Sequence, residues 1–113
     1  MKIDIKKLKF KYSYTEDREW LETEQKRERD VFYDGELVAN ICCEYNDFDG
    51  KYFYEILPNP NSKIPWGTLA FKSKYFEVVD TGFYAEEKVS HAAHYSSLKE
   101  CKEAILEEIQ CLE

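Results

Sequence analysis

Glycine and proline are scarce in this chain: four and three among 113 residues, and neither occurs after Gly82. With so few, there is no Gly/Ser linker, and the turns that exist are easy to place. Gly-rich phosphate loops and the G-x-S-x-G elbow are absent, as are CxxC and HExxH, so no motif for nucleotide, acyl-transfer or zinc chemistry stands in the chain. No apolar run approaches the roughly 20 residues of a membrane-spanning helix. The opening MKIDIKKLKFKY lacks the continuous apolar stretch of a secretory signal. A cytoplasmic, reducing setting is therefore expected, with Cys42, Cys43, Cys101 and Cys111 as free thiols. Positive charge is also short: 16 Lys and Arg face 23 Asp and Glu, a net charge of −7. A field of that sign repels nucleic acid and anionic lipid and suits basic partners. The exception is the N-terminus, where Lys2, Lys6, Lys7, Lys9 and Lys11 stand against Asp4.

What is plentiful is the aromatic ring. Apolar residues make up 43% and aromatics 16%, too rich for a disordered chain. Nine Tyr and seven Phe favour a pleated, half-buried surface. One strand-rich domain over residues 1–113 is expected, just long enough to bury a core without staples.

Residues 3 to 14 alternate like a strand, with Ile3 and Ile5 on one parity and Leu8, Phe10, Tyr12 and Tyr14 on the other. A register shift near Lys6-Lys7 would reconcile them. The lysines between suit a sheet edge. Residues 16 to 30 are charge-dense and read equally as a short helix or a polar strand. Asp34-Gly35 is the strongest hairpin signal. Beyond it Leu37, Ala39, Ile41, Cys43 and Tyr45 share one parity, an inward face. A second hairpin is expected at Asp49-Gly50. A two-residue turn there sets Tyr45 against Tyr54, Cys43 against Ile56 and Glu44 against Glu55. LPNPNSKIPWG, with all three prolines, is a loop. Strands are expected over residues 68–71 and 75–79, then a short helix over roughly 84–95. Ser97-Leu98-Lys99-Glu100 has capping-box spacing, and Leu98, Cys101, Ile105, Ile109 and Leu112 form a helical stripe, with Cys101 and Cys111 both toward the core. The fold class is α+β: a twisted antiparallel sheet of about four to six strands with a C-terminal helix on one face.

Candidate chemistry is thin. The stretch EYNDFDGKYFYE (44–55) invites a calcium reading. Counted back from Gly50, Asp47 and Asp49 fit an EF-hand loop, but Tyr45 and Ile56 occupy its first and last positions. His91 and His94 lie three apart, yet zinc would need two further ligands. Adjacent Cys42 and Cys43 point to opposite faces of a strand and bridge only with strain. No metal site, cofactor or catalytic residue is assigned. An enzyme with a cysteine/histidine site remains as a third reading, without a local signature.

Carboxylates and rings together are the remaining signal. Glu16, Asp17, Glu19, Trp20 and Glu22 form one group, and Glu44, Asp47, Asp49 and Glu55 another. These are the candidate partner-binding residues, opposed to a basic protein surface such as that of a nucleic-acid-binding enzyme. Charge would speed association and aromatics would anchor it. In size, acidity and lack of a catalytic motif the chain resembles small phage- or mobile-element-encoded inhibitors of host nucleases, anti-CRISPR proteins among them. That resemblance implies a stoichiometric, cofactor-free inhibitor of a basic nucleic-acid channel, in the host cytoplasm if phage-encoded. No direct nucleic-acid binding and no membrane association are expected, and the chain would be a monomer or homodimer. The competing class is a cellular interaction or small-ligand regulatory module. The bland alternative is that the acids only keep a small protein soluble.

Overall fold

A computed structural model describes residues 3–13, 27–82 and 86–112. Its main sheet is antiparallel, in the order β1 (Leu8–Tyr12), β2 (Arg29–Tyr33), β3 (Glu36–Asn46) and β4 (Lys51–Pro58). A separate antiparallel ribbon pairs β5 (Lys72–Asp80) with β6 (Glu86–Ala92), and α1 (Leu98–Cys111) follows. The class is α+β, as the sequence indicates. β1 lies at the sheet's edge with Lys9 and Lys11 exposed, the arrangement that discourages unwanted pairing.

The first turn of chain differs from the expected strand. Ile5–Lys7 is a 3₁₀ turn, because Asp4 caps it twice: its side chain accepts from the Lys6 N–H at 3.0 Å and its carbonyl from the Lys7 N–H at 3.0 Å. Ile3 is buried while Ile5 is 44% exposed, so the parity break reflects a turn.

At the first hairpin Asp34 and Gly35 adopt φ of 50° and 84°. Positive φ at both central residues is the turn whose twist matches the strands it joins. A register shift beyond Val31 then pairs Val31 with Ala39 and Phe32 with Leu37. Val38 falls in the shift and is fully buried, against its parity, while Leu37 is only half-buried. The proline loop closes over this irregularity. Asn59 donates from its backbone to the Val38 carbonyl at 2.9 Å and from its side chain to the Leu37 carbonyl at 3.0 Å. Trp66 Nε1 also donates to the Val38 carbonyl, at 2.9 Å. Carbonyls freed by the bulge thus find partners, as buried backbone must.

Residues 68–71 are a turn rather than a strand, ending at Phe71 with φ 57°. That conformation is costly for a bulky side chain. Its ring is buried and meets Trp66 edge-on at 5.3 Å, which offsets the cost. The helix expected over 84–95 is also overturned, since Glu86–Ala92 is strand β6. Freedom from Gly and Pro is equally compatible with a strand, and Val89 and the residues around it find ladder partners on β5.

The C-terminal helix follows its stripe. Ser97 Oγ accepts from the Glu100 N–H at 3.2 Å, and Glu100 Oε2 accepts from the Ser96 N–H at 2.9 Å. The reciprocal cap therefore lands one residue early. Cys101, Ile105 and Ile109 are fully buried and join Val31, Ala39, Ile41, Tyr54 and Ile56 in the core. Cys111 is exposed, against expectation: it lies ten residues beyond Cys101, or 1000° of helical rotation, which is 80° short of a whole number of turns.

Candidate binding surface

The second hairpin is built differently from a two-residue turn. Asn46 Oδ1 accepts from the Phe48 N–H at 3.0 Å, and the Asn46 carbonyl accepts from the Gly50 N–H at 2.9 Å. Asp49 Oδ1 in turn accepts from the Lys51 N–H at 3.1 Å. These bonds fix a four-residue loop, Asp47 to Gly50, with only Gly50 at positive φ, 66°. Asn46 competes for the backbone and ends β3 two residues before the expected turn, while β4 still begins at Lys51.

The register changes accordingly. Tyr45 faces Tyr52, Cys43 faces Tyr54, Glu44 faces Phe53 and Cys42 faces Glu55. The expected Glu44–Glu55 pair is therefore corrected: the two share a face but sit diagonally, each opposite a neutral residue. Like charges directly opposed would destabilise the ladder, and this register avoids that. Glu55 is also engaged: His94 Nε2 lies 3.2 Å from its Oε1, and the His94 ring lies 4.4 Å from the Phe53 ring. Tyr45 is 45% exposed and not a core residue, its ring 5.1 Å from Tyr52. The Arg27 guanidinium covers the Tyr52 ring at 4.4 Å.

What the tip presents is Phe48, fully exposed at 101%, between exposed Asp47 and Asp49 and with exposed Glu44 on the adjoining strand. Of the sequence-predicted residues, Glu44, Asp47 and Asp49 thus share one end of β3–β4, while Glu55 is drawn toward His94. Glu16, Asp17, Glu19, Trp20 and Glu22 lie outside the described residues.

The groups considered for chemistry do not assemble. His91 Nε2 lies 3.0 Å from Glu77 Oε2 on the ribbon, while His94 belongs to the Glu55 contact. Among the described residues, no three of His, Cys, Asp and Glu are placed to hold a metal. None of the four cysteines is in a disulfide. Burial, then Glu28, Glu55 and Glu44, pushes the Cys42 thiol up to about 11. Burial, then Glu100, pushes Cys101 to about 12. Both stay protonated at neutral pH and are poor nucleophiles there.

The ribbon is the surface that sequence reasoning missed. Tyr75, Phe76, Val78, Val79 and Val89 are 66, 48, 53, 40 and 38% exposed. The signal was present: in KSKYFEVVD apolar residues occupy both parities, which is the pattern of a strand with two like faces. The same pattern also suits burial on both sides, so parity alone does not show which faces are open. No helix of the described residues is long and apolar enough to cross a membrane. Comparison adds no relative: no family model, no curated protein and no solved structure matches the chain.

Proposed function

We propose that the chain is a non-enzymatic binding protein that seats the β3–β4 tip in a basic groove of a partner protein. It acts there as a stoichiometric inhibitor of a nucleic-acid-binding enzyme, in the manner of anti-CRISPR and other nuclease inhibitors. The observation that carries the reading is Phe48, wholly exposed between two carboxylates on a loop held by one backbone–backbone hydrogen bond and two from backbone N–H groups to side chains. A monomeric protein has little reason to fix the backbone beneath a bare phenyl ring, whereas an interface gains from it, since an anchor whose backbone is already placed loses less entropy on docking. Asp47, Asp49 and Glu44 supply the sign of charge that steers a basic surface and that phosphates would otherwise supply.

The test is binding of the purified protein to candidate nucleases across a salt series. Association should weaken steeply as salt rises. Phe48→Ala should cost about 2 kcal/mol of affinity while leaving the fold intact. Asp47→Asn combined with Asp49→Asn keeps the Oδ1 acceptor that caps Lys51 but removes both charges, so it should slow association and flatten the salt dependence. Binding insensitive to salt and to Phe48 would sink the proposal.

A further inference from the structure

The ribbon offers a second surface, independent of the hairpin tip. No residue of β5 or β6 is buried, and the two strands contact each other far more than anything else. Among the described residues β5 pairs only with β6, so a nine-residue strand keeps one edge unpaired. An isolated two-stranded ribbon is marginal in water, and an open apolar edge is a template for another strand.

Charge along β5 says which strand fits. Its first half carries Lys72 and Lys74 and its second half Glu77 and Asp80, with Phe76 in the middle. Strands paired antiparallel run in opposite directions, so β5 laid against a copy of itself sets each basic half against an acidic half. β5 shifts register against β6 between Lys72 and Phe76, so its ends rather than single residues can be matched: about a two-fold axis at Phe76 the basic end, Lys72 and Lys74, lies beside the partner's acidic end, Glu77 and Asp80, and the phenyl rings meet at the axis. At the base of the ribbon, Lys72 also borders an apolar notch lined by Leu57, Pro60 and Trp66. We propose that β5 is a homodimerisation edge, and that two copies join their ribbons antiparallel into a continuous four-stranded sheet. The occupant is a second copy of this chain because the charge of β5, basic at one end and acidic at the other, is complementary to its own reverse.

Sedimentation velocity over a concentration series tests this on the full chain. Wild type should pass from monomer to dimer. Lys72→Asp and Asp80→Lys singly set like charges beside each other at both ends, on either side of the axis, and should weaken the dimer about tenfold or more. The double variant restores opposite charges and should recover most of the wild-type association. Phe76→Glu, at a half-exposed position, should leave a folded monomer by circular dichroism. A wild type that stays monomeric, a dimer that survives Phe76→Glu, or a double variant no better than either single overturns the proposal.

Discussion

A buried thiol is an inert residue at neutral pH and a titrating one in alkali. Cys101 is fully buried against the sheet, and burial with the nearby Glu100 carboxylate carries its pKa from an ordinary 9.0 to about 12. Between those values an unfolded chain sheds the proton that the folded chain keeps. The stabilisation is fully present below about pH 9 and is lost as pH rises toward 12. At about 1.4 kcal/mol per unit, one such group removes as much as ~4 kcal/mol over that range. Cys42 adds to the loss in the same direction, its thiol being raised to about 11. Urea midpoints taken with reductant between about pH 8 and pH 11 should therefore fall more steeply in wild type than in Cys101→Ala. The comparison is of slopes, since the variant also loses a buried sulfur and starts lower. Parallel slopes would show that this thiol does not stay protonated in the fold.

Elements form here where a short local signal coincides with a buried face. The Asp34-Gly35 turn is one such case. Gly35 sits at φ 84° with nothing within 4 Å of where a Cβ would stand, so only backbone strain opposes a side chain. Gly35→Val should cost about 1–2 kcal/mol and lower the melting temperature, because a β-branched residue resists that φ. Gly35→Asn fills the same space with a residue that tolerates the conformation, and should cost much less. Equal melting temperatures for the two variants would mean the turn is not held as described. The same coincidence explains which elements were legible in the sequence. The first hairpin and α1 each carry a turn or cap signal flanking a one-sided apolar pattern, and both stand as read, apart from the bulge that buries Val38 in place of Leu37, exposed Tyr45 at the far end of β3, and exposed Cys111. The 3₁₀ turn at Ile5–Lys7, the turn over 68–71 and the loop at Asp47–Gly50 were missed because a side chain or a tertiary contact decided each against parity. At the tip, an Asn46 carboxamide placed the acids. Glu44, Asp47 and Asp49 were legible as a group, while the engagement of Glu55 by His94 depends on residues far apart in sequence. Phe48 escaped notice because an aromatic among aromatics looks like core until its exposure is seen.

At the scale of the whole molecule, stability is divided unequally between two parts. Among the described residues the main sheet, α1 and the proline loop that closes on them hold the fully buried side chains, among them Val31, Val38, Ile41, Ile56, Ile64, Ile105 and Ile109, whereas β5 and β6 bury none. The Cα radius of gyration is 16.0 Å, against about 13 Å for a compact chain of this length, as a protruding ribbon requires. Opening the ribbon breaks its ladder but uncovers no core, so its free energy must lie well below that of global unfolding. Hydrogen exchange should separate the two. In dilute protein, amides of Lys72–Asp80 and Glu86–Ala92 should exchange quickly, with rates almost independent of low urea. Amides of β3 and α1 should exchange slowly and accelerate together as urea exposes the core. Raising the protein concentration should then protect the ribbon alone, because a second copy pairs with its edge while the core is already at its limit. Ribbon amides as slow as those of β3 in dilute solution would mean the ribbon is fastened to the core by contacts stronger than those seen. Rapid exchange at every concentration would leave the edge open and the chain monomeric.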